Sequence, residues 1–259
     1  MPARTSRSDG ENGKLKIAAG AGDNASGALG VGAKVGDLII SLGTSGTAFA
    51  VSATPTNDPS GEIAGFADAS GNYLPLACTL NAAKVFNATA ELLNLSFDKY
   101  SELALQAEPG AGGLLFMPHF DGERTPDRPN AKGSISGITH ANFTPANIAR
   151  ASIEGVIAGI AYAGNGLEKL GVKFNRILLI GGAAKNPAVR KVATEIFGSE
   201  ISVPPTGEYV ADGAARQAAW ALSKKSDLPD WSKGEFEKIP LEKKSTEVRN
   251  RYFDAISHI

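Results

Sequence analysis

Residues 37–51 constrain the fold most, because apolar side chains alternate there on both sides of a glycine-bounded turn. Leu38, Ile40 and Leu42 precede Gly43-Thr44-Ser45-Gly46, and Thr47, Phe49 and Val51 follow it. A period of two puts successive side chains on opposite faces of a strand, so this segment is predicted to be a β-hairpin closed by that turn. Residues 176–180 are a second β-run, emptying into Gly181-Gly182-Ala183-Ala184-Lys185-Asn186-Pro187, and a helical pattern resumes over 189–197. Residues 14–18 read as a short strand entering Gly20-Ala21-Gly22-Asp23-Asn24-Ala25, with a small-residue helix or turn after it. Strand, glycine loop and helix thus occur twice. With the hairpin between them, they indicate an α/β domain in which helices cover a sheet.

A second strand pair is expected at 63–66 and 73–76, a helix over 80–95, and a buried strand at 114–117 opening into the charged loop 118–126. Thr144-Pro145 starts a long helix, Thr as cap and Pro in the first turn, that Gly171 ends. Its buried face should be Ile148, Ile153, Ile157, Ile160 and Leu167, with Arg150 and Glu154 one turn apart and placed to pair. Another helix is predicted at 212–222 and a closing one around Tyr252, Phe253 and Ile256. Residues 227–244 read as a surface excursion and residues 1–13 as a disordered lead-in.

The bulk numbers narrow the function by exclusion. With 26 Lys+Arg against 27 Asp+Glu, the formal charge is -1, which leaves no basic excess for a nucleic-acid backbone or an anionic membrane. No apolar run approaches the ~20 residues of a membrane helix, and the N-terminus lacks the apolar stretch of a secretory signal. A cytoplasmic protein is the expectation. The single cysteine, Cys78, excludes an intrachain disulfide and a cysteine-cluster metal site, and the three histidines form no metal motif.

Three segments hold residues suited to chemistry. At Gly43-Thr44-Ser45-Gly46, backbone N–H groups and two hydroxyls can converge on a phosphate, although a plain hairpin turn reads the same way. Gly181, Gly182 and Ala183 let the backbone pass flat against a ligand ring, and Asn186 offers an amide to an adenine or ribose; a tight βα turn would look alike. Asp23 sits among Gly20, Gly22 and Gly27, which leave room for a substrate hydroxyl at its carboxylate, and the competing reading is a helix N-cap. Gly20-x-Gly22-x-x-Ala25 satisfies a loose dinucleotide fingerprint, but the acid that should end the next strand is missing, since Asp37 precedes its strand. Glu123-Arg124-Thr125-Pro126 reads either as a salt-bridged structural loop or as the lining of a cleft.

Taken in order, these segments resemble the C-terminal part of the FGGY family of carbohydrate kinases, and within it the xylulokinases. Gly20-Ala21-Gly22-Asp23-Asn24-Ala25 is similar to the family's catalytic-aspartate segment, and Leu42-Gly43-Thr44-Ser45-Gly46 to its phosphate turn. The stretch from Phe116 through Pro118-His119-Phe120-Asp121-Gly122-Glu123-Arg124-Thr125-Pro126 resembles the xylulokinase cleft loop. Residues 133–138 and 147–154 resemble the C-terminal signature, 180–186 the adenosine loop, and 208–215 the helix start after it. The likeness runs over residues 17–222.

That resemblance implies an actin-like ATPase (ribonuclease H-like) α/β fold, C-terminal half only. Residues 14–36 would end the first-domain segment carrying the catalytic Asp, and 37–259 would be the nucleotide-binding domain. It implies ATP with Mg2+, Asp23 as catalytic base and Asn24 beside the sugar. Gly43, Thr44, Ser45 and Gly46 would then hold phosphate, with Gly181, Gly182, Ala183 and Asn186 seating adenosine. The expected partners are ATP or ADP and a ketopentose, with a second copy or the missing N-terminal domain as the macromolecular one. A nucleotide-binding remnant without catalysis, or a kinase for ribulose, gluconate or glycerol, is the alternative.

Overall fold

The computed structural model describes residues 17–223, 225–231 and 234–258. In chain order the first elements are α1 (Asp23–Val31), β1 (Asp37–Leu42), β2 (Gly46–Ala50), β3 (Ala64–Ala67), β4 (Tyr73–Thr79), α2 (Ala83–Leu92) and α3 (Phe97–Ala104). Then follow β5 (Leu115–Met117), β6 (Ser134–Ser136), α4 (Pro145–Lys169), β7 (Arg176–Ile180), α5 (Pro187–Phe197), β8 (Ile201–Val203), α6 (Tyr209–Ser223), β9 (Glu237–Ile239) and α7 (Thr246–Ser257).

The hairpin forms as the alternation predicts. β1 pairs antiparallel with β2 in the register Leu38↔Ala50 to Leu42↔Gly46, which leaves residues 43–45 as the turn. β2 continues antiparallel to β4 and β4 to β3, while β7 joins β1 in parallel and β8 joins β7 in parallel. The sheet order is β3-β4-β2-β1-β7-β8-β9; β5 and β6 form a separate small ribbon.

Both faces of the sheet are covered, so the two-residue period sorts apolar side chains between two cores rather than between core and water. Leu38, Ile40, Leu42, Ala48 and Leu179 pack toward α4 with Ile153, Ile157 and Ile160. Ile39, Phe49, Val51, Leu178 and Ile180 pack on the other face with Ala25, Ala28 and Val31 of α1. Gly46 is buried for packing: a Cβ there would lie 2.6 Å from Ile160 Cδ1.

α4 begins and ends at the expected signals. Thr144 Oγ1 accepts from Asn147 N at 3.3 Å, Pro145 is the first helical residue, and Gly171 follows the end with φ +84°. The predicted buried face holds, with Ile148 only half-buried. Arg150 and Glu154 do pair, at 2.7 Å, but in the core, with side chains 2% and 3% exposed. Arg150 also pairs with Glu195 of α5, whose side chain is 1% exposed. Glu154 Oε1 further accepts from Gly110 N at 2.9 Å, tying the loop before β5 to both helices. Burial pushes the Glu154 carboxyl above its usual range, against the opposing pull of Arg150.

Several expectations change. Residues 14–16 of the first predicted strand, and the lead-in 1–13, lie outside the described residues, and Ile17 and Ala18 are not in a strand. α2 starts at Ala83 rather than 80, α3 was not foreseen, and α6 starts three residues early. The surface excursion contains β9, which pairs antiparallel with β8 from Ile201↔Ile239 to Val203↔Glu237. Of the two readings of Glu123-Arg124, the salt-bridged loop is not seen: the two side chains form no ion pair among the described residues. Glu123 is 4% exposed and accepts from the N–H groups of Leu80 (2.6 Å) and Arg124 (2.8 Å) and from Asn81 Nδ2 (2.9 Å), because a buried carboxylate needs directed donors. Among the described residues, no helix is long and apolar enough to cross a membrane.

Candidate active site

The parallel strands β1, β7 and β8 end on one edge of the sheet, and a cavity of about 410 Å³ opens there, within the usual range for small-molecule sites. Strand-end residues Ser41, Ile180 and Val203 line it, with Gly181 and Gly182 beyond β7, Asp23 and Asn24 on α1, and Glu208 and Tyr209 where α6 starts.

Local sequence explains each wall. Gly181 has φ +93°, and a Cβ on it would lie 2.5 Å from the Leu42 carbonyl oxygen, so only glycine lets β7 turn against the end of β1. Gly182 is the opposite case, with no heavy atom within 4 Å of where its Cβ would be. Its bare backbone faces open space at the cavity. α1 reaches the cavity by crossing α6 backbone to backbone, through Gly30 and Gly213. Arg216 Nη1 then donates to Leu29 O at 2.9 Å and Gln217 Nε2 to Gly20 O at 3.2 Å, clamping both ends of α1.

Asp23 is the first residue of α1; Gly22, not Asp23, is its N-cap. Asp23 Oδ1 accepts from Asn24 N at 2.8 Å and from Asn24 Nδ2 at 3.1 Å. Asn24 Oδ1 in turn accepts from Thr47 Oγ1 at 3.4 Å, which fastens α1 to the hairpin. The Asp23 carboxylate makes no ion pair among the described residues. The first turns of two helices, α1 and α6, open on the cavity and favour negative charge there. Lys185 also lines it and makes no ion pair among the described residues, whereas Arg190 is bound to Ala184 O and Glu237.

The structure therefore brings Asp23, Asn24, Gly181 and Gly182 together. Gly43, Thr44, Ser45 and Gly46 lie outside the cavity lining, on the adjoining turn that Leu42 carries against Gly181. Gly43, Thr44 and Ser45 are exposed, and the carbonyls of Gly43 and Thr44 accept from Ala83 N (3.0 Å) and Ala82 N (3.3 Å) at the start of α2. Ala183 is buried beneath the loop. Asn186 is also buried, and its Oδ1 accepts from Ala188 N at 2.9 Å, Val189 N at 3.2 Å and Ser101 Oγ at 2.8 Å. Its Oδ1 is thus the cap of α5, because Pro187 opens that helix and the following N–H groups need an acceptor, while its Nδ2 is buried without a hydrogen-bond partner among the described residues.

Sequence reading left out Lys185 and Tyr209; the turn Pro204-Pro205-Thr206-Gly207 before α6 was the signal for the second. It also left out the far side of the hairpin. Cys78 stands opposite Thr47 in the β2–β4 register, and burial pushes its thiol up, with Arg124 opposing and Asp23 and Glu123 adding. Asp23 and Arg124 therefore both act on one thiol.

The profile of the FGGY family of carbohydrate kinases, C-terminal domain, matches residues 38–222. The chain belongs to the FGGY family of carbohydrate kinases. Among its FGGY relatives, the xylulose kinase of Haemophilus influenzae is 37% identical over 213 residues, 82% of this chain and 43% of that protein. The xylulose kinase of Streptomyces coelicolor is 40% identical over 80% of this chain and 41% of its own length. The crystal structure of xylulose kinase from Bifidobacterium adolescentis superposes with a TM-score of 0.86 at 44% identity, covering 94% of this chain and 49% of that one. The chain thus spans less than half the length of these FGGY kinases, and its fold is the C-terminal half of their actin-like ATPase architecture.

Proposed function

We propose that this chain is the nucleotide-binding half of an ATP-dependent ketopentose kinase that phosphorylates D-xylulose to xylulose 5-phosphate. The observation that carries this reading is the shared cavity: a carboxylate on α1 and a bare glycine backbone beyond β7 face one opening at the ends of parallel strands. The xylulose kinase relatives support the choice of sugar.

Phosphoryl transfer passes through a loose transition state, so the protein has mainly to position the reactants and balance charge. Asp23, steadied by Asn24, would orient the sugar hydroxyl and take its proton late, and Asn24 would stand beside the sugar. The exposed hairpin turn, with Gly43, Thr44 and Ser45, would hold phosphate oxygens, Gly46 setting its distance from α4. Gly181 and Gly182 would pass along the adenosine, with Ala183 and Asn186 supporting that loop from beneath. Mg2+, when bound with the nucleotide, would neutralise phosphate charge.

Calorimetry with ADP on the 259-residue chain tests the nucleotide site. Gly182→Leu should change the melting temperature little, since a Cβ there meets no heavy atom within 4 Å, yet abolish ADP binding by filling the cavity. Undiminished ADP affinity in that variant would sink the assignment. In a coupled assay across several ketoses and polyols, turnover with D-xylulose is expected from a protein that also contains the rest of the relatives' length. Fast turnover by this chain alone would contradict a cleft that needs two walls.

A further inference from the structure

We propose that Thr47 is a positioning residue for the base: its hydroxyl holds the Asn24 amide, which binds Asp23 Oδ1 and leaves Oδ2 as the oxygen that takes the sugar's proton. The inference rests on the kinase reading above and adds to it a residue set one strand back from the cavity lining.

Asp23 is exposed on the first turn of α1, where a side chain without a partner would sweep through solvent. Its bonds come from Asn24 and end on Oδ1, from the backbone N at 2.8 Å and from Nδ2 at 3.1 Å. Oδ2 accepts no hydrogen bond among the described residues, so its lone pairs are the ones open to a hydroxyl. The two oxygens of one carboxylate thereby have different tasks.

Asn24 can hold the carboxylate only while its own side chain is held. Its Nδ2 faces a group that only accepts, so its Oδ1 points the other way and needs a donor. Thr47 Oγ1 is that donor at 3.4 Å, reaching from β2 to a residue 23 positions earlier in the chain. Thr47 is itself fixed by the sheet, opposite Ser41 of β1 and Cys78 of β4. Ser41 lines the cavity, so Thr47 stands directly behind its wall.

The strand does not require a hydroxyl at this position. Phe49 and Val51, which follow at a two-residue spacing on the same face, are apolar and pack against α1. Valine has nearly the shape of threonine and suits a strand as well, so a residue kept for packing alone would tolerate it. In the transfer, the sugar O–H bond would break, its proton passing to Asp23 Oδ2. The sugar oxygen would bond to the γ-phosphorus of ATP as the bond from that phosphorus to ADP breaks, its electron pair leaving on ADP. A carboxylate free to turn offers the right oxygen only part of the time. Loss of the Thr47 hydroxyl should therefore lower turnover rather than substrate binding.

The side-chain amide signals of Asn24 in nuclear magnetic resonance, assigned with Asn24→Ala, report the contact in the 259-residue chain. Their exchange with water should be equally slow in the wild type and Thr47→Ser, and faster by roughly threefold or more in Thr47→Val, the size of one neutral hydrogen bond, with the melting temperature unchanged. In a protein that also contains the rest of the relatives' length, Thr47→Val should lower kcat for D-xylulose roughly threefold to tenfold, with KM for sugar and ATP staying within about twofold. Thr47→Ser should recover that kcat. Equal exchange in the wild type and Thr47→Val, an unchanged kcat, or a Thr47→Ser protein as slow as Thr47→Val overturns the proposal. ADP calorimetry on the same chains separates this from a failure of the kinase reading. With ADP bound, only the role of Thr47 falls, whereas a wild-type chain that binds no ADP overturns the kinase reading itself.

Discussion

Gly213→Ala should separate the two walls of the cavity, and the size of the effect follows from one contact. A Cβ on Gly213 would lie 1.8 Å from Ser26 O, where non-bonded atoms settle at about 3.4 Å, so α1 and α6 must part by about 1.5 Å at their crossing. The obstacle is backbone and cannot rotate away. Overpacking of this kind costs about 3 kcal/mol, the upper part of the usual range, and alanine's better helix propensity offsets about 1 kcal/mol of it. The remaining ~2 kcal/mol should lower the melting temperature by about 4–8 °C in a chain of this size. Gly27→Ala is the control on α1, since its Cβ would meet only Val210 Cγ2 at 3.8 Å, an ordinary contact. It should melt at or slightly above the wild type. Because α1 carries Asp23 and α6 carries Tyr209, Gly213→Ala should also weaken ADP binding, read by calorimetry beside a thermal melt. A Gly213→Ala protein that melts with Gly27→Ala and binds ADP as the wild type does would refute the backbone crossing as the device that sets the cavity's width.

Arg150→Ala should destabilise the chain by about 3–5 kcal/mol, because it leaves two carboxylates buried without their cation; a melting temperature within 2–3 °C of wild type would contradict the buried triad. The Glu154 carboxyl, raised by burial, contributes most below the ordinary carboxylate range, and stability falls as pH rises toward its folded value. The melting temperature of Glu154→Gln relative to wild type should therefore climb with pH from about 4.5 upward, and a flat difference would dismiss the shift. Asp23→Asn, in a protein with the full length of the relatives, should lower turnover roughly 10²–10⁴-fold, while this chain with the same change keeps its ADP affinity; undiminished turnover would remove Asp23 from the base role.

The hairpin and α4 were legible because their signals are local. Alternation over 37–51 and the Thr144-Pro145 start with Gly171 beyond the end are set by neighbours in sequence. The Arg150–Glu154 spacing was equally readable, yet its meaning was not, since the burial of the pair depends on Glu195 on another helix. Asn186 shows the same limit at the site: one residue type suits both a ligand amide and a helix cap, and only the three-dimensional contacts show that its Oδ1 is engaged by α5 and Ser101. β9 is three residues, Glu237–Ile239, with no alternation to read, and its strand character comes from the edge that β8 offers.

Why the cavity sits where it does follows from the directions of the strands. β1, β7 and β8 run parallel, so their carboxyl ends reach the same edge, but the chain leaves them differently. β1 doubles back at once through the hairpin, β7 proceeds to α5 on the α4 side, and β8 proceeds to α6 on the α1 side. Departing in different directions, the three connections cannot cover the strand ends they leave, and a crevice is the geometric consequence. The glycines at 181 and 182 lie in that crevice because backbone must pass there with no side chain between it and Leu42 on one side or the opening on the other. The position of the site is thus a property of the topology. What it can do chemically depends on the Asp23 and Asn24 side chains that α1 brings to its lining, so variants of Asp23 should change that chemistry without moving the pocket.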